Sequence, residues 1–281
     1  MKYLITGGSG FLGVELVKRL NGENLRIVAR NEGKLVELKE KFPNVEIMVG
    51  DIEDPYICDR AMQGVDGVYH LAGLKHVRLA EENVKEAINS NIPVALLEAT
   101  RKHKPKFIIG ISTDKAASRK GVYGCTKFLM EKLFSEYEKL NPDTKYRIVR
   151  YGNVIYSTGS VLCKWKEKIL KGERITVTDL RATRFFWTVD QAVDLIFEAL
   201  EEAPDAKPYA CHMKAIKIED LMMAMFRKYN NSGTITFIEP SIHYEEIGLQ
   251  PGENMHEIIT EDGQDSSQAE RYTEEEIMKM I

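Results

Sequence analysis

Short apolar runs alternate with amphipathic stretches through the first half of the chain. Six runs rich in Val, Ile and Tyr have the length of buried strands: Tyr3–Thr6, Leu25–Ala29, Val45–Val49, Gly67–Leu71, Phe107–Ser112 and Arg147–Tyr151. Five stretches carry apolar residues at helical spacing: Phe11–Leu20, Lys34–Lys41, Pro55–Met62, Ala80–Lys102 and Val122–Leu140. This alternation predicts parallel strands joined by helical crossovers, which form a doubly wound, Rossmann-like α/β sheet.

The alternation breaks near residue 157. The later part has isolated helical and strand-like segments: Val161–Leu170, Val189–Glu201 and Ile218–Tyr229 for helices, Ile175–Thr178 and Thr234–Ile238 for strands. We therefore predict a sheet domain over residues 1–156, with part of residues 186–210 packing back on it. Residues 157–281 should form most of a smaller domain that caps the sheet.

Composition narrows the class of protein. The 281 residues carry a formal charge of −4, which gives no reason to expect a nucleic-acid-binding face. The four cysteines lie far apart, without the spacing of a zinc site or a disulfide framework. No apolar run approaches the length of a membrane span. We expect a cytoplasmic protein with no metal site and no membrane partner.

The segment TGGSGFLG, with Gly7, Gly10 and Gly13, ends the first predicted strand and opens the first predicted helix. Glycines permit a tight turn and let the backbone approach a pyrophosphate, while the helix N-terminus presents unpaired N–H groups. Tight strand–helix turns also use glycine for steric reasons alone. The strand before the turn and the helix after it favour dinucleotide binding.

The second strand ends at Arg30, where an NAD-selective site usually has an acidic residue for the ribose diol. A guanidinium at this position, with Lys34 one turn further on, suits a 2′-phosphate, so NADP is favoured and NAD remains possible. The alternative is a solvated Arg30 paired with Glu32. The predicted cofactor-binding residues are Gly7, Ser9, Gly10, Phe11, Leu12, Gly13, Arg30, Lys34, Asp51, Ile52, Leu71, Ala72, Gly73, Lys75, Ser112, Tyr123 and Lys127.

Tyr123 and Lys127 form a YxxxK pair after the fifth strand, which places both on one helix face. An ammonium beside a phenol stabilises the phenolate, so we expect Lys127 to lower the pKa of Tyr123 and make it a proton acceptor. The same spacing also occurs on ordinary surface helices. Its position after the fifth strand, with Ser112 and Thr113 about ten residues earlier, favours catalysis.

With these motifs the chain resembles the extended short-chain dehydrogenases that modify nucleotide sugars, and more closely the UDP-N-acetylglucosamine 4,6-dehydratases that invert carbon 5. The resemblance covers nearly the whole chain, in the family's order. Its segments are TGGSGFLG, HLAGLKHV with LAEEN, ISTDKAA, VYGCTK, VRYGNV, TDLRATRFFWTVD and GLQPGENMHE.

The resemblance implies catalytic roles for Asp114, Lys115, Tyr123, Lys127 and Thr113. Tyr123 would take the proton of the sugar 4-hydroxyl, Lys115 would remove the carbon 5 proton, and Asp114 would protonate the departing 6-hydroxyl. A lysine base must be partly neutral, and we expect burial and the charge of Lys127 to achieve this. Asn91 is interpreted either as holding a water or backbone group behind Tyr123 or as a structural side chain.

The resemblance also implies that the first domain binds NADP and that the smaller domain binds UDP-N-acetylglucosamine. The implied substrate-binding residues are Lys75, Asn153, Val154, Arg181, Arg184, Gln250 and Glu253. Either Arg181 or Arg184 would bind the pyrophosphate. The alternative for each is a salt bridge with Asp179 or Asp190. The chain has Gln250 and Asn254 where relatives commonly carry Arg and Lys, which puts diphosphate affinity in question.

Three further expectations follow. The helical stretches Ala80–Lys102 and Val122–Leu140 would form the superfamily's usual homodimer face, although core packing explains their apolar stripes equally well. A UDP-hexose 4-epimerase is the alternative enzyme, since it needs Tyr123, Lys127 and Thr113 without an acid–base pair for elimination. A non-catalytic NADP-binding regulator is the alternative outside enzymes, and the intact YxxxK argues against it.

Overall fold

A seven-stranded parallel sheet forms the centre of the computed structural model, which describes residues 1–229, 243–261, 263 and 265–281. The strand order is β3-β2-β1-β4-β5-β6-β10, where the strands are β1 (Lys2–Thr6), β2 (Asn24–Ala29), β3 (Glu46–Val49), β4 (Gly67–His70), β5 (Phe107–Thr113), β6 (Lys145–Tyr151) and β10 (Pro208–Tyr209). The order reverses direction between β1 and β4, so the carboxyl ends of these strands open a crevice at that point. The predicted Rossmann-like fold is confirmed.

Helices cover both faces of this sheet. They are α1 (Phe11–Arg19), α2 (Glu32–Lys41), α3 (Pro55–Met62), α4 (Val77–Glu82), α5 (Val84–Asn91), α6 (Val94–His103), α7 (Lys115–Ser118), α8 (Gly121–Leu140) and α10 (Val189–Glu202). Ile5 packs in one buried cluster with residues of α1, α2 and α10, whereas the adjacent Leu4 packs in another with α3, α6 and α8. Adjacent strand residues point to opposite faces of the sheet. Apolar residues at both positions therefore pack against a layer of helices on each face.

The predicted single helix over Ala80–Lys102 is wrong, because the structure divides this stretch into α4, α5 and α6. Asn83 leaves the helical region, with φ −134° and ψ 62°. Ile92 is extended because it precedes Pro93, and a residue before proline is disfavoured in the helical conformation. Apolar periodicity continues across both breaks, which is why the pattern alone suggested one helix.

A smaller unit lies beyond the carboxyl ends of the strands. Its remaining elements are β7 (Asn153–Val154), α9 (Val161–Leu170), β8 (Ile175–Val177), β9 (Thr183–Trp187), β11 (Ala215–Lys217), α11 (Ile218–Tyr229), β12 (Tyr244–Glu246) and α12 (Glu274–Met280). They form the sheets β11-β9-β7 and β12-β8 and share a buried cluster around Trp165, Phe186 and Phe226. The strand predicted at Thr234–Ile238 lies outside the described residues, and the boundary near residue 156 stays a prediction.

Within the described ranges, no helix combines the length and the apolar composition needed to cross a bilayer.

Candidate active site

A cavity of about 1100 Å³ lies between the carboxyl ends of the main strands and the smaller unit. Most of the residues singled out in the sequence line this cavity, although they are spread along the chain from Gly7 to Glu253. They are Gly7, Ser9, Gly10, Phe11, Leu12, Gly13, Arg30, Lys34, Asp51, Ile52, Leu71, Ala72, Gly73, Lys75, Ser112, Thr113, Lys115, Tyr123, Lys127, Asn153, Val154, Arg184 and Glu253. Asp114 lies directly behind this lining, whereas Arg181 and Gln250 lie outside it.

The glycine turn forms a cradle at one end of the cavity. Gly7 has a φ of +70°, and a Cβ there would lie 2.7 Å from the Ala72 nitrogen. A Cβ on Gly13 would lie 2.5 Å from the Gly7 carbonyl oxygen. Helix α1 begins at this turn without a side-chain cap, so its first N–H groups are available to an anion. The residues present therefore fit the diphosphate of a dinucleotide.

Arg30 stands at the edge of the cavity near this cradle. Its Nη1 lies 3.5 Å from Asp51 Oδ2, and 64% of its side chain is exposed. Its partner is therefore Asp51 rather than the neighbouring Glu32. Lys34 follows on α2, where its backbone N–H donates to the Asn31 side chain that caps the helix. Two cations thus border the part of the cavity next to β2.

Tyr123 and Lys127 face the cavity from α8, as the YxxxK spacing predicts. Lys127 Nζ donates to the Ile111 carbonyl at 2.9 Å. Burial lowers the pKa of Lys127 to about 8, against the opposing effect of Glu131. The expected lowering of the Tyr123 pKa by Lys127 is wrong. Burial raises the pKa of Tyr123, and the cation that opposes the rise is Lys115.

Lys115 is held by two carboxylates. Its Nζ lies 3.0 Å from Asp114 Oδ1 and 3.7 Å from Glu257 Oε1. Asp114 Oδ1 also accepts a hydrogen bond of 2.8 Å from the Thr113 hydroxyl. Burial alone would lower the pKa of Lys115, but the two carboxylates outweigh it and raise the pKa above its ordinary value. The expectation that burial makes Lys115 partly neutral is therefore wrong, because the two carboxylates favour its charged form.

The N-terminus of α8 is fixed by Glu81, a residue to which the sequence analysis gave no role. Glu81 Oε1 accepts a hydrogen bond of 2.6 Å from the Val122 backbone N–H. Gly121, with φ +71°, and Gly252 both approach this carboxylate so closely that a Cβ on either would lie within 3.0 Å of Oε1. Negative charge at a helix N-terminus is favourable, so Glu81 helps to orient the helix that carries Tyr123.

A buried network lies beneath this part of the cavity. Ser112 donates to Glu131 Oε1 at 2.5 Å, and Arg150 donates to both oxygens of Glu131, at 3.0 and 2.6 Å. Arg150 also donates to the Ile259 carbonyl at 2.9 Å. The network joins β5, β6 and α8 to the C-terminal segment. Glu131 and Arg150 are 19 residues apart in the chain, and no sequence pattern links them. Only the folded structure shows that they meet.

Asn91 is completely buried behind this part of the site. Its Nδ2 donates to the Thr126 hydroxyl at 3.0 Å, and Thr126 in turn donates to the Tyr123 carbonyl. Asn91 therefore contacts α8 through a side chain rather than through a backbone group. This contact links α5 to the turn that carries Tyr123.

The two arginines of TDLRATRF differ in position. Arg184 lines the cavity and donates to the Met255 carbonyl at 3.0 Å, with its Nε 3.8 Å from Glu257 Oε1. Arg181 points elsewhere, with 77% of its side chain exposed, and makes two hydrogen bonds to Asp179, of 3.0 and 2.6 Å. Gln250 also turns away, and its amide donates to the Gly248 carbonyl.

The doubly wound sheet, the glycine cradle and the Tyr–Lys pair together define an extended short-chain dehydrogenase. The chain belongs to the family described as polysaccharide biosynthesis protein, whose sequence profile matches residues 3–280. The resemblance drawn from the sequence motifs is therefore confirmed.

Relatives and solved structures refine this assignment. The UDP-N-acetylglucosamine 4,6-dehydratase (inverting) of Campylobacter jejuni is 33% identical over 267 residues, covering 91% of this chain and 76% of the relative. The UDP-glucose 4-epimerase of Rickettsia bellii is 32% identical over 295 residues, covering 97% and 86%. The X-ray structure of Pen from Bacillus thuringiensis is 30% identical with a TM-score of 0.88, covering 99% and 96%. The chain is thus a member of the nucleotide-sugar dehydratase and epimerase group.

Proposed function

We propose that the protein is an NADP-dependent UDP-N-acetylglucosamine 4,6-dehydratase, a hydro-lyase that also inverts carbon 5. Its product would be a UDP-2-acetamido-2,6-dideoxy-4-keto-hexose for glycan biosynthesis. The observation that carries the proposal is the Asp114–Lys115 pair, which adjoins Tyr123 at the cavity. A 4-epimerase needs the tyrosine but has no elimination step for which to use this pair. The Campylobacter jejuni relative, which is 33% identical and is named for UDP-N-acetylglucosamine, supports the same substrate.

The glycine cradle and the cations beside β2 are the proposed cofactor site. Gly7, Gly10 and Gly13 would contact the diphosphate, Arg30 and Lys34 the 2′-phosphate, and Lys127 the nicotinamide ribose. A nicotinamide held there would supply hydride transfer, from carbon 4 of the sugar and back to carbon 6, while carbon 5 takes up a proton. Since hydride is both taken and returned, the cofactor is not consumed.

The chain's own residues would supply the proton transfers. Tyr123 takes the proton of the 4-hydroxyl, which allows a ketone to form at carbon 4. The ketone acidifies the carbon 5 proton, which Lys115 removes once its ammonium has passed a proton to Asp114. Asp114, in its protonated form, gives a proton to the 6-hydroxyl as the C6–O bond breaks, and water leaves. Thr113 would stabilise the oxygen on carbon 4.

Five of the implied substrate-binding residues line the cavity, and we propose that Lys75, Asn153, Val154, Arg184 and Glu253 contact the UDP-sugar. Arg184 is the more suitable partner for the diphosphate because Arg181 is already bound to Asp179 outside the cavity. Guanidinium groups bind phosphate oxygens through paired N–H donors. Arg181 and Gln250 would reach the nucleotide only after turning from their present partners.

We also propose that the protein is a homodimer. Val84, Ile88, Val94 and Leu129 are large apolar side chains on α5, α6 and α8, and each is between 44% and 48% exposed. Together they provide apolar surface on the helices that the family resemblance assigns to the dimer face.

The proposed reaction can be tested by incubating the purified protein with UDP-N-acetylglucosamine and no reducing cofactor. We expect a 4-keto-6-deoxy product, identified by mass spectrometry and NMR, with deuterium at carbon 5 when the reaction runs in heavy water. A product that keeps its 6-hydroxyl and is inverted at carbon 4 would instead establish the epimerase, the second candidate favoured by the Rickettsia bellii relative.

Arg30→Ala should weaken NADP binding about 10- to 100-fold and leave NAD binding nearly unchanged, since a hydrogen bond to a charged group contributes about 1.5–3 kcal/mol. Dissociation constants for both nucleotides, measured by calorimetry without substrate, check this. Lys41→Ala, which removes an exposed cation at the far end of α2, is the matched control. An equal loss for both nucleotides would contradict recognition of the 2′-phosphate.

A further inference from the structure

Glu257 is a completely buried carboxylate at the back of the cavity. Its Oε2 accepts a hydrogen bond of 2.9 Å from Asn254 Nδ2, and its backbone N–H donates to the Ser266 hydroxyl at 2.8 Å. Its Oε1 has no hydrogen-bond donor among the described residues. A buried carboxylate without cations is strongly unfavourable, so its neighbours should explain why it is there.

Two cations flank the free oxygen of Glu257. Lys115 Nζ lies 3.7 Å from Oε1, and Arg184 Nε lies 3.8 Å from it. Asn254 carries no charge, so its contact with Glu257 is neutral. The charge of Glu257 is therefore balanced chiefly by Lys115 and Arg184.

The exposures show which of these groups meets a ligand. The Lys115 side chain is 12% exposed and that of Glu257 is 1% exposed, so the amine lies between the carboxylate and the open cavity. Glu257 can therefore influence a sugar in the cavity through the two cations beside it, Lys115 and Arg184. A carboxylate behind a basic group orients that group and stabilises the cation that forms when it takes a proton.

We propose that Glu257 is a positioning residue for the dehydration step, which directs the Lys115 amine towards carbon 5 and stabilises the ammonium formed there. The inference rests on the proposed function. In this step the C5–H bond breaks and the proton passes to Lys115 Nζ. The electron pair forms the C5=C6 double bond as the C6–O bond breaks, and the hydroxyl leaves as water with the proton of Asp114.

The charged and titratable groups around Lys115 come from four parts of the fold: Asp114 beside it, Glu257 from the C-terminal segment, Arg184 from β9 and Tyr123 from α8. Burial lowers the pKa of Lys115, Asp114 and Glu257 raise it, and Arg184 lowers it. Removing the charge of Glu257 must therefore lower the pKa of Lys115. The amine would become neutral at a lower pH, and it would also be a weaker base.

The experiment compares the pH dependence of deuterium incorporation at carbon 5 in the wild type, Glu257→Gln and Glu257→Asp, each confirmed folded by thermal unfolding. In Glu257→Gln the rising limb of the curve of incorporation rate against pH should move to lower pH by about one unit or more. The rate at its high-pH plateau should also fall about tenfold, as expected for a weaker base. Glu257→Asp keeps the charge and should keep the limb close to that of the wild type.

Glu261→Gln is the matched control, because it removes an exposed carboxylate of the same segment that pairs with Arg119. It should leave both the limb and the plateau unchanged. If Glu257→Gln lowers the rate equally at every pH, Glu257 only supports the local structure and the inference fails.

A second measurement needs neither substrate nor cofactor. Trace acetylation with acetic anhydride across pH, quantified by mass spectrometry, reports the neutral fraction of each lysine, with the exposed Lys139 as internal reference. In the wild type, Lys115 should reach half-labelling at a higher pH than Lys139, and Glu257→Gln should lower that value. Half-labelling of wild-type Lys115 at or below the value of Lys139 would overturn the inference, even if the variant does not fold. Absence of product from the wild type would instead refute the proposed function.

Discussion

Tyr123→Phe should lower the turnover of UDP-N-acetylglucosamine by about 10²- to 10⁴-fold, the range expected when a general base is removed. The variant loses one hydroxyl and keeps the ring that packs at the cavity wall, so binding of the nucleotide sugar should change little. Because proton removal from the 4-hydroxyl comes first, the whole reaction should slow, including deuterium incorporation at carbon 5. Steady-state rates together with the dissociation constant of the substrate separate these effects.

The matched control is Tyr137→Phe, which removes a hydroxyl from the same helix α8. The Tyr137 hydroxyl donates to Glu98 on α6, and neither residue lines the cavity. This variant should lose about 1 kcal/mol of stability through the lost hydrogen bond and keep its turnover. Equal turnover in the two variants would remove Tyr123 from the reaction.

Lys115→Ala should stop dehydration while oxidation at carbon 4 survives. Tyr123 and the cofactor site remain, so the 4-keto intermediate can still form. The base for carbon 5 is missing, and loss of a general base predicts a decrease of about 10²- to 10⁴-fold in water elimination. A single turnover should show reduced cofactor by its absorbance, without the 6-deoxy product that mass spectrometry detects in the wild type.

Lys115→Arg distinguishes a base from a counter-ion. An arginine keeps a cation between Asp114 and Glu257, but its guanidinium is not deprotonated in proteins. Dehydration should therefore fail in Lys115→Arg as it does in Lys115→Ala. If the arginine variant dehydrates at a normal rate, the positive charge alone is sufficient and carbon 5 is deprotonated by another group.

The main sheet was predictable because its strands are buried on both faces. Continuous apolar runs such as Tyr3–Thr6 give a strong local signal, and the structure places Leu4 and Ile5 in the two opposite clusters. The division of the predicted helix Ala80–Lys102 into α4, α5 and α6 was less accessible, because apolar periodicity persists through Asn83 and Pro93. The short strands β7, β9, β10, β11 and β12 were not predicted, since two to five residues carry little periodicity.

Local sequence was enough to find the glycine turn, the cations after β2, the Asp114–Lys115 pair and the spacing of Tyr123 and Lys127. Each depends on residues close together in the chain, whose geometry is set by a single turn or helix. Long-range packing, in contrast, places Arg184 rather than Arg181 at the cavity and brings Glu257 close to Lys115. The raised pKa of Lys115 has the same origin, because burial and charge depend on groups from β9 and the C-terminal segment that meet only when the chain folds.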